Sequence, residues 1–144
     1  MERSEHELCL FRREDVEQAT EVHFRQYFCG NLRLPQELDF IRTADLEIGI
    51  SRYDHFAADQ PHAHARTPDM VYVLEGEYHI RLPEEGKDLI LRAGDFLSIP
   101  PKTPYASKAR AGTRVLFVKQ TPENDKLPYP PDDALRRWLE EEPV

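Results

Sequence analysis

Two histidines one residue apart, His62 and His64, with an acid five residues further on at Asp69, are the side chains of this sequence best suited to chemistry. Residues two apart on an extended strand point to the same side, so the His-Ala-His stretch projects both imidazoles together. Asp69 follows the short turn Ala65-Arg66-Thr67-Pro68 and opens the next strand run, from where it can return a carboxylate to the same spot. Two imidazoles and a carboxylate converging on one side make a divalent-metal site. Taken alone, the histidine pair reads more readily as two surface residues of an edge strand. The residues around it decide the matter.

Strands must position such a site, and the sequence is rich in them. Twelve prolines and six glycines punctuate short runs of strand length. Leu46-Glu47-Ile48-Gly49-Ile50-Ser51 alternates cleanly, as does Val22-His23-Phe24-Arg25, and Val71-Tyr72-Val73-Leu74 and Val115-Leu116-Phe117-Val118 are β-branched or aromatic. Glu75-Gly76, Pro83-Glu84-Glu85-Gly86-Lys87, Ala93-Gly94-Asp95 and Ala111-Gly112 read as chain reversals. Strands are expected near 38–43, 46–54, 60–65, 69–75, 77–82, 88–92, 96–100, 104–109 and 113–119, a pattern that implies an all-β sandwich or barrel. The C-terminus differs. Tyr129-Pro130-Pro131-Asp132-Asp133 leads into a helix with an acidic N-cap, and Leu135, Trp138 and Leu139 share one helical face. Trp138 is expected to pack on the barrel or on a partner subunit. Glu140, Glu141 and Glu142 carry the wrong sign for the last turn, so its end should fray. A short helix is also expected near 15–20.

Beyond Asp69, the stretch Met70-Val71-Tyr72-Val73-Leu74-Glu75-Gly76 runs from the acid into a strand and a tight turn, and Arg92-Ala93-Gly94-Asp95-Phe96-Leu97-Ser98-Ile99-Pro100 follows further on. Together these resemble the two motifs of the cupin superfamily over roughly residues 46–119. His62, His64, a four-residue gap, Asp69, a six-residue gap and Gly76 fit the first motif, and Gly94 and Pro100 fit the start of the second. The departures carry as much information. Asp69 stands where the family has Glu, one methylene shorter, so a metal must sit closer to that strand. Phe56 and Lys102 stand where Gly is usual, and Ala109 where a later Asn is usual. Tyr105 replaces the His that is the fourth ligand in many cupins.

Three arrangements are open at that position. His62, His64 and Asp69 form a three-ligand site completed by water, a set that suits non-haem iron and catalytic zinc. Tyr105 ligates as a phenolate. Or Tyr105 stays protonated and acts as a proton donor beside the metal, the arrangement favoured here because it needs no deprotonation. A divalent ion with two neutral imidazoles and one carboxylate keeps about one positive charge, which attracts carboxylate, enolate or hydroxide.

Other polar residues are weaker candidates. His79, Ser107 and Arg52 are possible pocket residues, and Tyr53 and His55 lie just before the histidine pair. His23, Arg25 and Tyr27 share one side of a short run, read as a solvated or dimer-facing strand. Lys119 and Lys126 flank Thr121-Pro122-Glu123-Asn124-Asp125, read as a surface loop.

With 144 residues, the chain has room for one domain with its own core. Its net charge is −8, from 27 acids against 19 bases, without a Lys/Arg cluster of the kind that neutralises phosphates, so neither nucleic acid nor an anionic membrane is an expected partner. No run approaches the roughly 20 apolar residues of a membrane helix, the start is too charged for a signal peptide, and Cys9 and Cys29 form no CxxC; a cytoplasmic location with reduced thiols is expected. No Ser–His–Asp order or phosphate loop supports nucleophilic hydrolysis or nucleotide transfer. The expected architecture is thus an all-β cupin/jelly-roll antiparallel β-barrel with a short C-terminal helix: one cupin domain over 1–144, its barrel core at about 38–119 and its helix at about 132–142. The resemblance implies a homodimer. The expected function is a metal-dependent isomerase, lyase or dioxygenase acting on a small polar or anionic metabolite, with Zn, Fe, Mn or Ni held by His62, His64 and Asp69. The alternative is a non-catalytic small-molecule-binding protein, a sensor or accessory subunit.

Overall fold

Val71, Val73 and Val115 face inward from one sheet, Tyr78, Ile80, Leu82, Leu91 and Tyr105 face inward from another, and the hydrophobic core lies between them. The structure is a computed structural model and describes residues 2–120 and 125–143. In chain order the elements are β1 (Glu2–Ser4), α1 (Arg13–Val22), β2 (Arg25–Gly30), β3 (Phe40–Arg42), β4 (Glu47–Tyr53), β5 (Ala57–His64), β6 (Asp69–Glu75), β7 (Glu77–Leu82), β8 (Lys87–Arg92), β9 (Phe96–Ile99), β10 (Tyr105–Ala109), β11 (Thr113–Lys119), β12 (Lys126–Pro128) and α2 (Asp133–Glu140). A seven-stranded sheet has the order β1-β3-β2-β4-β11-β6-β9, and a five-stranded sheet the order β12-β5-β10-β7-β8. From β4 onward each strand crosses to the other sheet, except within the β7–β8 hairpin. The β6–β7 crossing is tight: Gly76 has φ +81, and a Cβ there would lie 2.6 Å from Thr113 Cα. Only glycine fits that turn without strain.

The two sheets share no strand and do not close on each other, which overturns the expected barrel. Closure needs edge strands to pair. Here β6 pairs with β9 only over Asp69–Tyr72, and past that point the 93–95 turn takes its edge: Val73 N donates to Asp95 O (3.0 Å) and Gly94 N to Val73 O (2.8 Å). β8 consequently ends the five-stranded sheet without a further partner strand among the described residues. Nor is the pairing wholly antiparallel, because β3 runs parallel to both β1 and β2.

Val22 ends a helix instead of opening a strand. Arg12 N donates to Asp15 Oδ2 (3.0 Å) at the start of α1, and His23 N closes its last turn on Ala19 O (3.1 Å), so the alternating run becomes β2 only from Arg25. At the other end, Asp132 Oδ1 accepts from Leu135 N (2.8 Å) and starts α2 as an N-cap. Leu135 and Trp138 pack against Ala106 of β10. The expected fraying meets an opposing device. Buried Lys108 on β10 donates from Nζ to Trp138 O (2.6 Å) and Glu141 O (2.7 Å), and the same ammonium lies 4.3 Å from the Trp138 ring. A cation from the sheet thus supplies what the glutamate-rich last turn lacks.

Candidate metal centre

β5 carries His62 and His64 next to β10, and β6 begins at Asp69. The three side chains offer one ligand atom each, and these atoms all lie within 4.8 Å of one another. The imidazoles are buried, with ring centroids 5.1 Å apart and planes at 87°. Tyr105 sits directly across from His62 in the β5–β10 register, its ring 4.7 Å from the His62 ring, and its hydroxyl donates to Asp69 Oδ2 in a very short hydrogen bond. His64 Nε2 is 3.4 Å from the same oxygen.

Both rings are oriented from behind. His62 Nδ1 donates to Gln60 O (2.7 Å), and His64 Nδ1 donates to Asp125 Oδ1 (2.8 Å). Each acceptor claims Nδ1–H, so in the neutral rings the lone pair is on Nε2. A second polar layer of this kind fixes ring orientation in metal sites. Asp125 is itself held by Lys119 Nζ (2.8 Å), Arg66 N (3.1 Å) and Thr67 N (3.3 Å). Expected as part of a surface loop, it is buried; Thr121–Asn124 of that loop lie outside the described residues. No local periodicity marks Asp125, and the sequence carries no sign of its partnership with His64.

Electrostatics follow from burial and these partners. Burial holds the His62 imidazole below its ordinary pKa. Burial also works against charge on His64, but the bonds to Asp69 and Asp125 outweigh it and raise that imidazole. The bonds from His64 and Tyr105 likewise overcome burial to lower Asp69, and Asp125 is held well below the usual carboxylate range by Lys119 and His64 despite burial. Burial and the neighbouring Asp69 charge push the Tyr105 phenol well above its ordinary value. Two neutral-capable imidazoles and an ionised carboxylate form a donor set that fits a divalent ion, and Tyr105 adds a protonated hydroxyl beside it.

The cluster opens on a cavity of about 540 Å³. Val71, Ile80, Ile99 and Val115 supply apolar wall. Ser107 is buried and donates to Asp59 Oδ2 (3.3 Å), a cavity residue. Ser107 itself, His79 and Arg52 are not among the residues that line this cavity. For the last two, strand alternation is the reason: Tyr78 and Ile80 line the cavity on either side of His79, as do Ser51 and Tyr53 around Arg52. His79 Nε2 bonds Glu77 (2.7 Å), and Arg52 bonds Asp54 (3.0 Å) and reaches Glu21 of α1 (3.9 Å).

Arg25 and Tyr27 are displaced the opposite way from expectation. β2 pairs with β4 in the register Arg25↔Ser51 and Tyr27↔Gly49, so the side expected to be solvated lines the cavity. Asp59 joins them through a bulge. Tyr105 pairs with His62 but Ser107 with Asp59, so Ala106 faces both Gln60 and Pro61, and the extra residue turns Asp59 to the same side as His62. Pro61 within the strand run is the sequence signal for that bulge.

A family model for the cupin domain matches residues 50–119. Among curated relatives, the 3-hydroxyanthranilate 3,4-dioxygenase of Xanthomonas campestris pv. campestris (strain B100) is 31% identical over 67 residues, which is 45% of this chain and 36% of that protein. The enzyme of the same name from Xanthomonas euvesicatoria pv. vesicatoria is 33% identical over a stretch of the same length. The match thus takes in about a third of the length of these relatives. Of solved structures, KdgF from Halomonas sp. superposes with a TM-score of 0.53 at 24% identity, covering 70% of this chain and 79% of that one. Oxalate decarboxylase of Bacillus subtilis superposes with a TM-score of 0.50 at 20% identity, covering 60% of this chain and 24% of that one. These two likenesses concern the fold. The family match and the buried His-His-Asp cluster in the spacing of the first cupin motif together identify residues 50–119 as a cupin-superfamily domain.

Proposed function

We propose that this chain is a metal-dependent enzyme that transforms a small polar or anionic metabolite in the cavity, with dioxygenation favoured over isomerase and lyase chemistry. The observation that carries the reading is the convergence of three ligand atoms within 4.8 Å, each ring held through Nδ1 so that Nε2 is the available atom. The name of the Xanthomonas relatives favours dioxygenation. His62, His64 and Asp69 hold the metal, which supplies a positive centre that polarises a bound oxygen atom of substrate or water. Tyr105, donating to Asp69, holds a proton at the substrate's side of the site and orients the reacting group.

The test is to load the chain with iron(II), zinc, manganese or nickel, measure bound metal, and follow oxygen uptake on adding 3-hydroxyanthranilate. The expected result is one bound ion and iron-dependent uptake, both lost in His62→Ala and His64→Ala. A wild-type chain that binds none of these metals overturns the reading. Full turnover in the double variant does so as well.

A second reading, a non-catalytic binding protein, is favoured by one observation: Tyr105 stands at the family's usual fourth histidine and spends its hydroxyl on Asp69. Tight ligand retention without turnover by any loaded metal would establish it.

The wider reading includes a cytoplasmic homodimer. Two free cysteines support the location, and exposed Tyr72, Leu74 and Phe96 on β6 and β9 support self-association. No described helix is long and apolar enough to cross a membrane. Sedimentation at twice the monomer mass is the expected result for the dimer.

A further inference from the structure

Away from the metal cluster, the same cavity contains a guanidinium that its neighbours leave poorly bonded. Arg25 Nε donates to Ser51 Oγ at 2.9 Å. Its Nη2 reaches Tyr53 Oη and Asp59 Oδ2 only at 3.5 Å each. Asp59 Oδ2 also accepts from Tyr53 Oη (3.4 Å) and Ser107 Oγ (3.3 Å), so a single oxygen is shared among three long contacts. Nη1 has no hydrogen-bond partner among the described residues. Guanidinium groups favour two parallel bonds to one carboxylate, and the Arg25–Asp59 contact does not form that fork.

The surroundings define what could form it. The Arg25 guanidinium lies 4.9 Å from the Phe24 ring and 5.6 Å from the Phe117 ring. Phe117 meets Tyr27 edge-on at 5.4 Å, and that contact crosses Gly49, the residue between them in the sheet. Of these, Tyr27 and Phe117 line the cavity and, with Val115 and Ile80, give it an aromatic and aliphatic wall beside the guanidinium. Asp59, which touches the fork, stands three residues before His62 on β5, on the order of 10 Å along the strand at about 3.3 Å per residue. One ring-sized acid can bridge that separation with polar contacts at both ends.

We infer that the Arg25 part of the cavity is a carboxylate-binding subsite, and that the ligand is a small monocarboxylic acid with a flat apolar body whose far end reaches the His-His-Asp cluster. The inference rests on reading this cavity as the substrate site. It places recognition on β2, outside the residues matched by the family model.

Benzoate and its neutral isostere benzamide are the probes, titrated calorimetrically into the full chain with and without bound metal. Benzoate is expected to bind at least about tenfold tighter than benzamide, the preference a charge-assisted pair provides. Arg25→Gln should abolish the preference while leaving metal content and the melting temperature unchanged. Arg25→Lys keeps the charge but not the fork and should lower the preference severalfold; it also carries the test if Arg25→Gln does not fold. An undiminished preference in either variant overturns the inference, as does a wild-type chain that binds metal but shows no preference. Arg25-dependent benzoate binding by a chain that takes up no metal supports the subsite and removes the metal reading instead.

Discussion

His64 Nδ1 lies 2.8 Å from Asp125 Oδ1, although 61 residues separate the two in sequence. The carboxylate decides which imidazole nitrogen faces Asp69. It is in turn held by Lys119 and by two backbone amides, so the orientation of one ligand depends on a segment after the last strand of the seven-stranded sheet.

Asp125→Asn keeps the shape of that contact but removes its charge. Loss of a carboxylate behind a ligating histidine typically costs about 10–100-fold in metal affinity. The expected outcome is a drop of that size with His62, His64 and Asp69 intact, read by competition against a chelator. Unchanged affinity would mean that Asp125 holds the loop and not the ligand.

Tyr105→Phe removes the hydroxyl and leaves the ring against His62. Metal stoichiometry should be retained. Turnover should fall about 10²–10⁴-fold if the phenol transfers a proton. Loss of the metal in this variant would instead assign Tyr105 as a ligand.

Gly49 is the point where Phe117 and Tyr27 meet across β4. A Cβ there would collide with the Phe117 ring and lie 2.9 Å from the Gln26 carbonyl. Gly49→Ala is expected to destabilise the fold by about 1–3 kcal/mol, the range for overpacking a tight site. Denaturant unfolding measures it, and a neutral result would show that the ring moves aside at little cost.

Lys108→Met keeps the apolar stem but leaves the carbonyls of Trp138 and Glu141 without their donor. Unsatisfied buried acceptors cost about 1–3 kcal/mol. Loss of that order, with faster amide exchange confined to α2, is the expected result. Uniform destabilisation with no local change at α2 would assign Lys108 a different role.

The site was legible in sequence where local rules govern it. A period of two places His62 and His64 together, a turn returns Asp69, and the second motif supplies Tyr105. Where pairing partners govern, the sequence is silent. Alternation shows that His23, Arg25 and Tyr27 share a side, but only the register with β4 shows that Arg25 and Tyr27 face the cavity. Asp59 needed the bulge at Gln60–Pro61, and Asp125 needed a fold that brings distant segments together. Strand runs also say nothing about whether outer edges meet. The 93–95 turn occupies the edge of β6 that a closed barrel would have used.

The cavity draws its metal-binding cluster from β5 and β6 but its guanidinium from β2, a strand that precedes the matched cupin residues. These two stretches answer to different constraints. Coordination demands particular atoms at close quarters, whereas the β2 wall must keep its backbone pairing with β3 and β4. Substitutions along β2 therefore change the cavity wall at Arg25 and Tyr27 without replacing His62, His64 or Asp69.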